Sequence, residues 1–206
     1  FHAVLGGEAG EAVFADFSAA LQKAQAEGRI LTASLFRYEN HLFFYAEGLN
    51  RPFTPQGLCP ALDAALLPWP PALGEAAPRP WAAMQPYFYH DVPTTAADWQ
   101  QGRCPQRRRG RIALLPPDSW CSYMEHHLRI VTEGLVEGDR WHLICVQEGV
   151  LFSYLEEPRT NVNIKHRPGA HSPELDAWIA ADPESHFARF TPEQKAHPDS
   201  GHNFVF

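Results

Sequence analysis

The sequence is short of every feature that would tie it to a membrane, a nucleic acid or a disulfide framework. No apolar run is long enough to cross a bilayer, and no signal-peptide pattern is present. The sequence opens at Phe1 rather than Met, which leaves open residues upstream. Cysteine is scarce. Cys59, Cys104, Cys121 and Cys145 form no CxxC pair and no metal-ligand spacing, so free thiols in a cytoplasmic protein are expected. Basic residues are outnumbered, 17 against 24 acidic, and the net charge of −7 argues against a nucleic-acid backbone as partner. The one basic run, Arg107-Arg108-Arg109 with Arg103 and Arg111 beside it, reads as a solvated loop. A glycine-rich phosphate loop, a nucleophile elbow and a kinase signature are all missing.

What remains is an ordinary globular composition, 45% hydrophobic and 20% charged, in a chain long enough to bury a real core. The 19 prolines cluster over 52–80 and 93–117, with aromatic and aliphatic residues between them, and so mark loops rather than disorder. Apolar residues at Val13, Phe14, Phe17, Leu21 and Ala24 predict a helix over 11–27, closed by Gly28. Strands follow over 30–38 and 41–47, with Glu39-Asn40 as a tight turn. The second half repeats this order. A strand is expected over 111–115, an N-cap at Asp118 or Ser119, a helix over 123–137 closed by Gly138, and a hairpin of 141–147 and 150–156 through Glu148-Gly149.

The halves match in sequence. Leu42 to Glu47 aligns with Leu151 to Glu156, Gly28 with Gly138, Leu62-Asp63-Ala64 with Leu175-Asp176-Ala177, and Pro78…Trp81 with Pro183…His186. Each half is then strand, helix, hairpin, helix, strand, with last strands at 87–90 and 203–206. That is the ferredoxin-like βαββαβ unit. The expected organisation is an N-terminal repeat over 1–90, a linker over 91–110 and a C-terminal repeat over 111–206. One such sheet has helices on one face only, so two sheets face to face, a pseudo-dimeric α+β barrel, would bury both.

One segment carries chemistry. Tyr123 and His127 are four residues apart and share a helical face. A phenol that keeps its proton at pH 7 beside an imidazole makes an acid/base pair. The competing reading is a Tyr and a His simply packed between helix and sheet. A metal site over Glu125, His126 and His127 would need further ligands such as His142 or His186, and none is expected.

The βαββαβ order, with Pro117-Asp118, Tyr123 and His127 at these spacings after a strand, resembles the L-rhamnose mutarotase family. The resemblance implies a cofactor-free isomerase of sugar anomers, with Tyr123 as proton donor and His127 beside it. It places a substrate-touching aromatic at His142. The family's paired tryptophans of the second helix fall on His186-Phe187, and in the first half on Pro80-Trp81. Tyr154 joins these as a ring to hold a pyranose. Of the neighbours Trp141 and His142 only one can face the pocket, and His142 is expected inward. The first half has Phe14 and Phe17 in place of the Tyr and no His one turn later, so it reads as a non-catalytic copy. The departures at the tryptophans leave the substrate open. A monooxygenase or haem-handling enzyme of the same barrel superfamily, or a non-catalytic binding protein, stays as an alternative, and further homodimerisation stays open. The partner expected is a small molecule, a sugar on the resemblance, with no nucleic acid and no membrane.

Overall fold

The computed structural model of the chain describes residues 1–49, 52–89, 91–159, 161, 164–188 and 203–205. The structure is mixed α+β, with antiparallel sheets. It divides into two compact units, Phe1–Met84 and Gln85–Phe206. Among the described residues, no helix is long and apolar enough to cross a membrane.

The first unit runs β1 (His2–Val4), α1 (Glu11–Ala26), β2 (Ile30–Tyr38), β3 (His41–Gly48) and α2 (Pro60–Ala64). Its strands lie in the order β1-β3-β2. Glu39 supplies the positive φ, 53°, that the β2–β3 turn requires. Phe17 of α1 and Leu62 of α2 bury against Leu42 and Phe44 of β3. Trp81 belongs to this same core. It stacks on Phe17 at 6.1 Å, and its Nε1 donates to Asp63 Oδ1 at 2.8 Å. The expectation that Trp81 touches substrate from a helix is therefore corrected. No helix forms at 79–84, because Pro78 and Pro80 have no amide hydrogen to give it. Ala82 instead exchanges both backbone hydrogen bonds with His2, each 2.8 Å.

The second unit runs β4 (Gln85–Tyr89), α3 (Ala96–Gln100), β5 (Arg107–Leu114), α4 (Pro117–Glu133), β6 (Val136–Glu137), β7 (Leu143–Gln147), β8 (Val150–Glu157), β9 (Lys165–His166), α5 (Pro173–Ala180), a 3-10 turn (Pro183–His186) and β10 (Asn203–Val205). Its main sheet has the order β10-β5-β8-β7-β4, and β6 pairs with β9 separately. The expected strand ends His90 and Phe206 lie outside the described residues.

Four expectations change here. The strand β4, expected to close the first half, pairs with β7 and belongs to the second unit. Its Phe88 is buried on the helical side of that sheet, and its Pro86 is tolerated because β4 is an edge strand. The expected linker is not empty, since α3 forms within it, capped by Thr95, which accepts from the Asp98 amide at 3.0 Å. The basic run is a strand rather than a solvated loop: Arg107 and Arg108 face Glu157 and Glu156 across the β5–β8 ladder. Lastly, α4 begins at Pro117, a favoured first helical residue, and stops at Gly134, whose φ of 68° is left-handed. Gly134, not the expected Gly138, thus ends this helix, with a φ close to the 69° of Gly28 after α1.

The ladder registers define the faces of the main sheet. Arg111, Ser153, Ile144 and Phe88 are neighbours across β5, β8, β7 and β4, and point to the side of α4 and α5. Gly110, Tyr154, Leu143 and Tyr89 form the next row and point the other way. On that opposite side Arg103 pairs with Glu156 through Nη2 at 2.6 Å, and both side chains are 3% exposed. The Arg103 guanidinium lies over the rings of Trp99 and Trp141, at 5.9 and 5.5 Å.

Candidate functional site

The helix α4 carries its buried residues, Tyr123, His127 and Ile130, on one stripe at helical spacing. That stripe faces the sheet row of Arg111, Ile144 and Phe88. Between them lies a cavity of about 430 Å³, lined by Tyr123, His127, His142, Phe187 and Trp178, together with Arg111, Asp139 and Arg159. A volume of this size lies in the range of small-molecule sites.

Tyr123 and His127 stand side by side, ring centroids 4.4 Å apart. Three aromatic rings hold Tyr123 in place: Trp178 and Phe187, each at 5.2 Å, and His186 at 5.8 Å. The tautomer of His127 follows from geometry. Its Nδ1 lies 2.9 Å from the Tyr123 carbonyl oxygen, which can only accept, so Nδ1 carries the proton and Nε2 keeps its lone pair. Burial lowers the His127 pKa to about 4, and the charge of Arg111 acts in the same direction. Near neutral pH the ring is therefore an uncharged base. Burial first, and then Tyr123, holds the Tyr87 hydroxyl well above the usual phenol range. Tyr87 packs edge-on to both Tyr123 and His127, at 6.0 and 5.6 Å.

The residues expected at a site separate into three groups. Tyr123, His127, His142 and Phe187 line one cavity. His142 sits 5.6 Å from Phe88, while its neighbour Trp141 turns to Trp99, 6.3 Å away. His186 packs behind Tyr123 and is not among the cavity's lining; its Nε2 is 3.4 Å from Ser122 Oγ. Tyr154 and Trp81 are elsewhere. Tyr154 is fully buried on the opposite face of the sheet, where its hydroxyl donates to Glu156 Oε1 at 2.6 Å. Its expected role in the pocket fails because alternate residues of a strand face opposite ways, and Ser153, not Tyr154, faces α4.

The cavity also holds residues that sequence reasoning missed. Arg111 opens the strand expected over 111–115 and shares a strand face with Ala113 and Leu115, both buried. That shared face was the available signal. Asp139 and Arg159 form an ion pair of 2.5 Å at the cavity, but lie in segments with no periodicity to reveal it.

A separate cluster, His166, His171 and Asp176, has a spacing that could hold a metal ion. Its hydrogen bonds explain it differently. The Ser172 amide donates to His166 Nδ1 at 3.0 Å, so neutral His166 bears its proton on Nε2 and donates that to Asp176 Oδ1 at 3.2 Å. Neither nitrogen then offers a lone pair. Ser172 caps α5 by accepting from the Leu175 amide at 3.0 Å, and the cluster fastens that helix start.

The state of His127 gives a stability prediction. Above pH 6.5 the ring is neutral in both folded and unfolded chains, and stability is at its full value. As pH falls, the unfolded chain binds this proton first and the folded chain resists until about pH 4. Stability is lost across that window, by ~3 kcal/mol in total. Urea unfolding of the intact protein and of His127→Gln, at pH 7 and at pH 4.5, measures it. The variant is expected to show the shallower dependence, and equal slopes would show that His127 is not protected from protonation.

No family model matches the chain, and neither a curated protein nor a solved structure matches it either.

Proposed function

We propose that the protein is a cofactor-free sugar mutarotase or a closely related carbohydrate isomerase, working through Tyr123 and His127 in the second unit. The observation that carries this is the placement of a phenol and a neutral imidazole together against one cavity of monosaccharide scale. Helix and sheet could have packed these two rings with no space beside them.

The chemistry needs no more than the two groups. As the ring of an aldose opens, the anomeric hydroxyl gives its proton to His127 Nε2, and the Tyr123 hydroxyl gives its proton to the ring oxygen. The C1–O5 bond breaks as the C1=O1 bond forms. Rotation about C1–C2 presents the other carbonyl face, the steps reverse, and both protons return. Phe187, Trp178 and Phe88 supply apolar faces for the C–H side of a pyranose.

The proposal includes a tandem ferredoxin-like architecture with pseudo-dimeric barrel closure. Two features support the duplication. The strand order β10-β5-β8-β7, with α4 between β5 and β7 and α5 between β8 and β10, is that of one βαββαβ unit. The order β1-β3-β2, with α1 between β1 and β2, follows the same plan.

The test is anomer exchange by saturation-transfer NMR on a panel of aldoses and deoxy sugars. Catalysed exchange of at least one sugar, proportional to protein concentration, is the expected result. If every sugar exchanges at its uncatalysed rate, the mutarotase reading is wrong.

A further inference from the structure

Arg111 sits mid-strand on β5. Its ladder partners are Ser153 of β8 and Val205 of β10, and the row continues through Ile144 and Phe88, all without charge. Two acidic groups of this unit are already engaged. Arg109 Nε takes Glu157 at 2.9 Å, and Arg159 takes Asp139, the one carboxylate among the described residues of the cavity lining. Among the described residues, the Arg111 guanidinium has neither an ion-pair partner nor a side-chain hydrogen bond. It lines the cavity with Tyr123 and His127, half-buried, and shares that lining with apolar Ile144 and Phe88. The five donors of a guanidinium are arranged to grip an oxyanion from two sides.

Charge and size narrow the ligand. Among the described residues, the cavity lining presents two guanidinium groups and a single carboxylate, which leaves one positive charge unbalanced there. A monoanion cancels it. A phosphomonoester, close to a dianion at neutral pH, would overshoot. The remaining lining supplies aromatic faces and neutral polar groups, which suit a pyranose ring.

We propose that the ligand of this cavity is a carboxylate-bearing pyranose, a hexuronic acid, whose carboxylate is held by Arg111 while the anomeric carbon lies toward Tyr123 and His127. The orientation rests on the mutarotase reading; the anion site does not. The Arg111 contact anchors one end of the sugar, so that the two catalytic groups meet the hemiacetal at the other.

Calorimetric titration and saturation-transfer NMR of the intact chain test the two ideas separately. The ligands are D-galacturonate and D-glucuronate, their neutral parents D-galactose and D-glucose, and D-glucose 6-phosphate. The uronates are expected to bind at least about tenfold tighter than their parents, since hydrogen bonds to charged groups contribute about 1.5–3 kcal/mol. Arg111→Gln should abolish that preference and Arg111→Lys should keep part of it. If R111Q does not fold, the uronate-to-parent ratio of the intact protein still decides. Equal binding of acid and parent, no binding of any uronate, a preference for the phosphate, or an undiminished preference in a folded R111Q each overturns the proposal. Uronate binding without faster anomer exchange would sink the mutarotase reading and leave the anion site standing. Faster exchange of neutral sugars with no uronate preference would do the reverse.

Discussion

Tyr123→Phe is expected to reduce catalysed anomer exchange by ~10²–10⁴-fold, the usual contribution of a positioned proton donor, while leaving the protein folded. The separation of the two effects follows from how Tyr123 is held. Tyr123 is 2% exposed, and its ring packs against those of Trp178, Phe187, His186, His127 and Tyr87. Phenylalanine keeps all of these and removes one oxygen, at a cost of about 1 kcal/mol for the hydrogen bonding lost. Measuring exchange and urea unfolding on the same preparation distinguishes a missing proton from a damaged fold. A variant that exchanges sugar within a factor of about three of the parent would remove Tyr123 from the mechanism.

The second large effect lies on the other side of the sheet and concerns stability. Glu156→Gln is expected to destabilise the second unit by ~3–5 kcal/mol, because it leaves the Arg103 cation buried and uncompensated. Arg103 reaches Glu156 through Nη2 at 2.6 Å and through Nε at 3.0 and 3.1 Å, and the Tyr154 hydroxyl adds a fourth bond at 2.6 Å. Burial first, and then the Glu156 carboxylate, opposes ionisation of Tyr154, so this phenol stays a donor throughout the accessible pH range. The double variant Arg103→Met with Glu156→Leu should recover much of the loss, since it removes both charges together. Trp99 and Trp141, which flank the guanidinium, supply the fluorescence signal. Were the single variant to unfold at the same urea concentration as the parent, the buried pair would be contributing nothing.

Local signals in the sequence were reliable where the physics is local. The helix over 11–27 and the strands over 30–38 and 41–47 stand within a residue of α1, β2 and β3, because hydrophobic period and turn residues are short-range quantities. Both hairpin turns were legible at Glu39-Asn40 and Glu148-Gly149, where φ is positive at Glu39, Glu148 and Gly149. Tyr123 and His127 were legible as a pair because four residues is one helical turn. The helix stop was not, because either Gly134 or Gly138 could adopt the left-handed conformation, and the choice depended on a helix that starts at Pro117.

Tyr154 shows what alternation cannot say. Every residue of β8 from Leu151 to Glu156 is buried, so polarity gives no indication of which face meets α4. Only pairing with β5 and β7 decides that Ser153 faces the cavity and Tyr154 the Arg103–Glu156 pair. Trp81 failed in a related way: Leu62-Asp63-Ala64 and Leu175-Asp176-Ala177 both lie in helices, but beside Trp81, next to prolines, the chain pairs with His2 instead.

By itself, then, the sequence determined the α+β class, the helix and hairpin of the first unit and the helical juxtaposition of Tyr123 with His127, all set by neighbours a few residues apart. The tertiary structure alone decided that β4 joins the second sheet, that Tyr123 and His127 border a cavity rather than a filled core, and that Arg111 faces them. Each of these depends on which strand lies beside which, and strand pairing is a contest between distant segments that no local pattern can resolve.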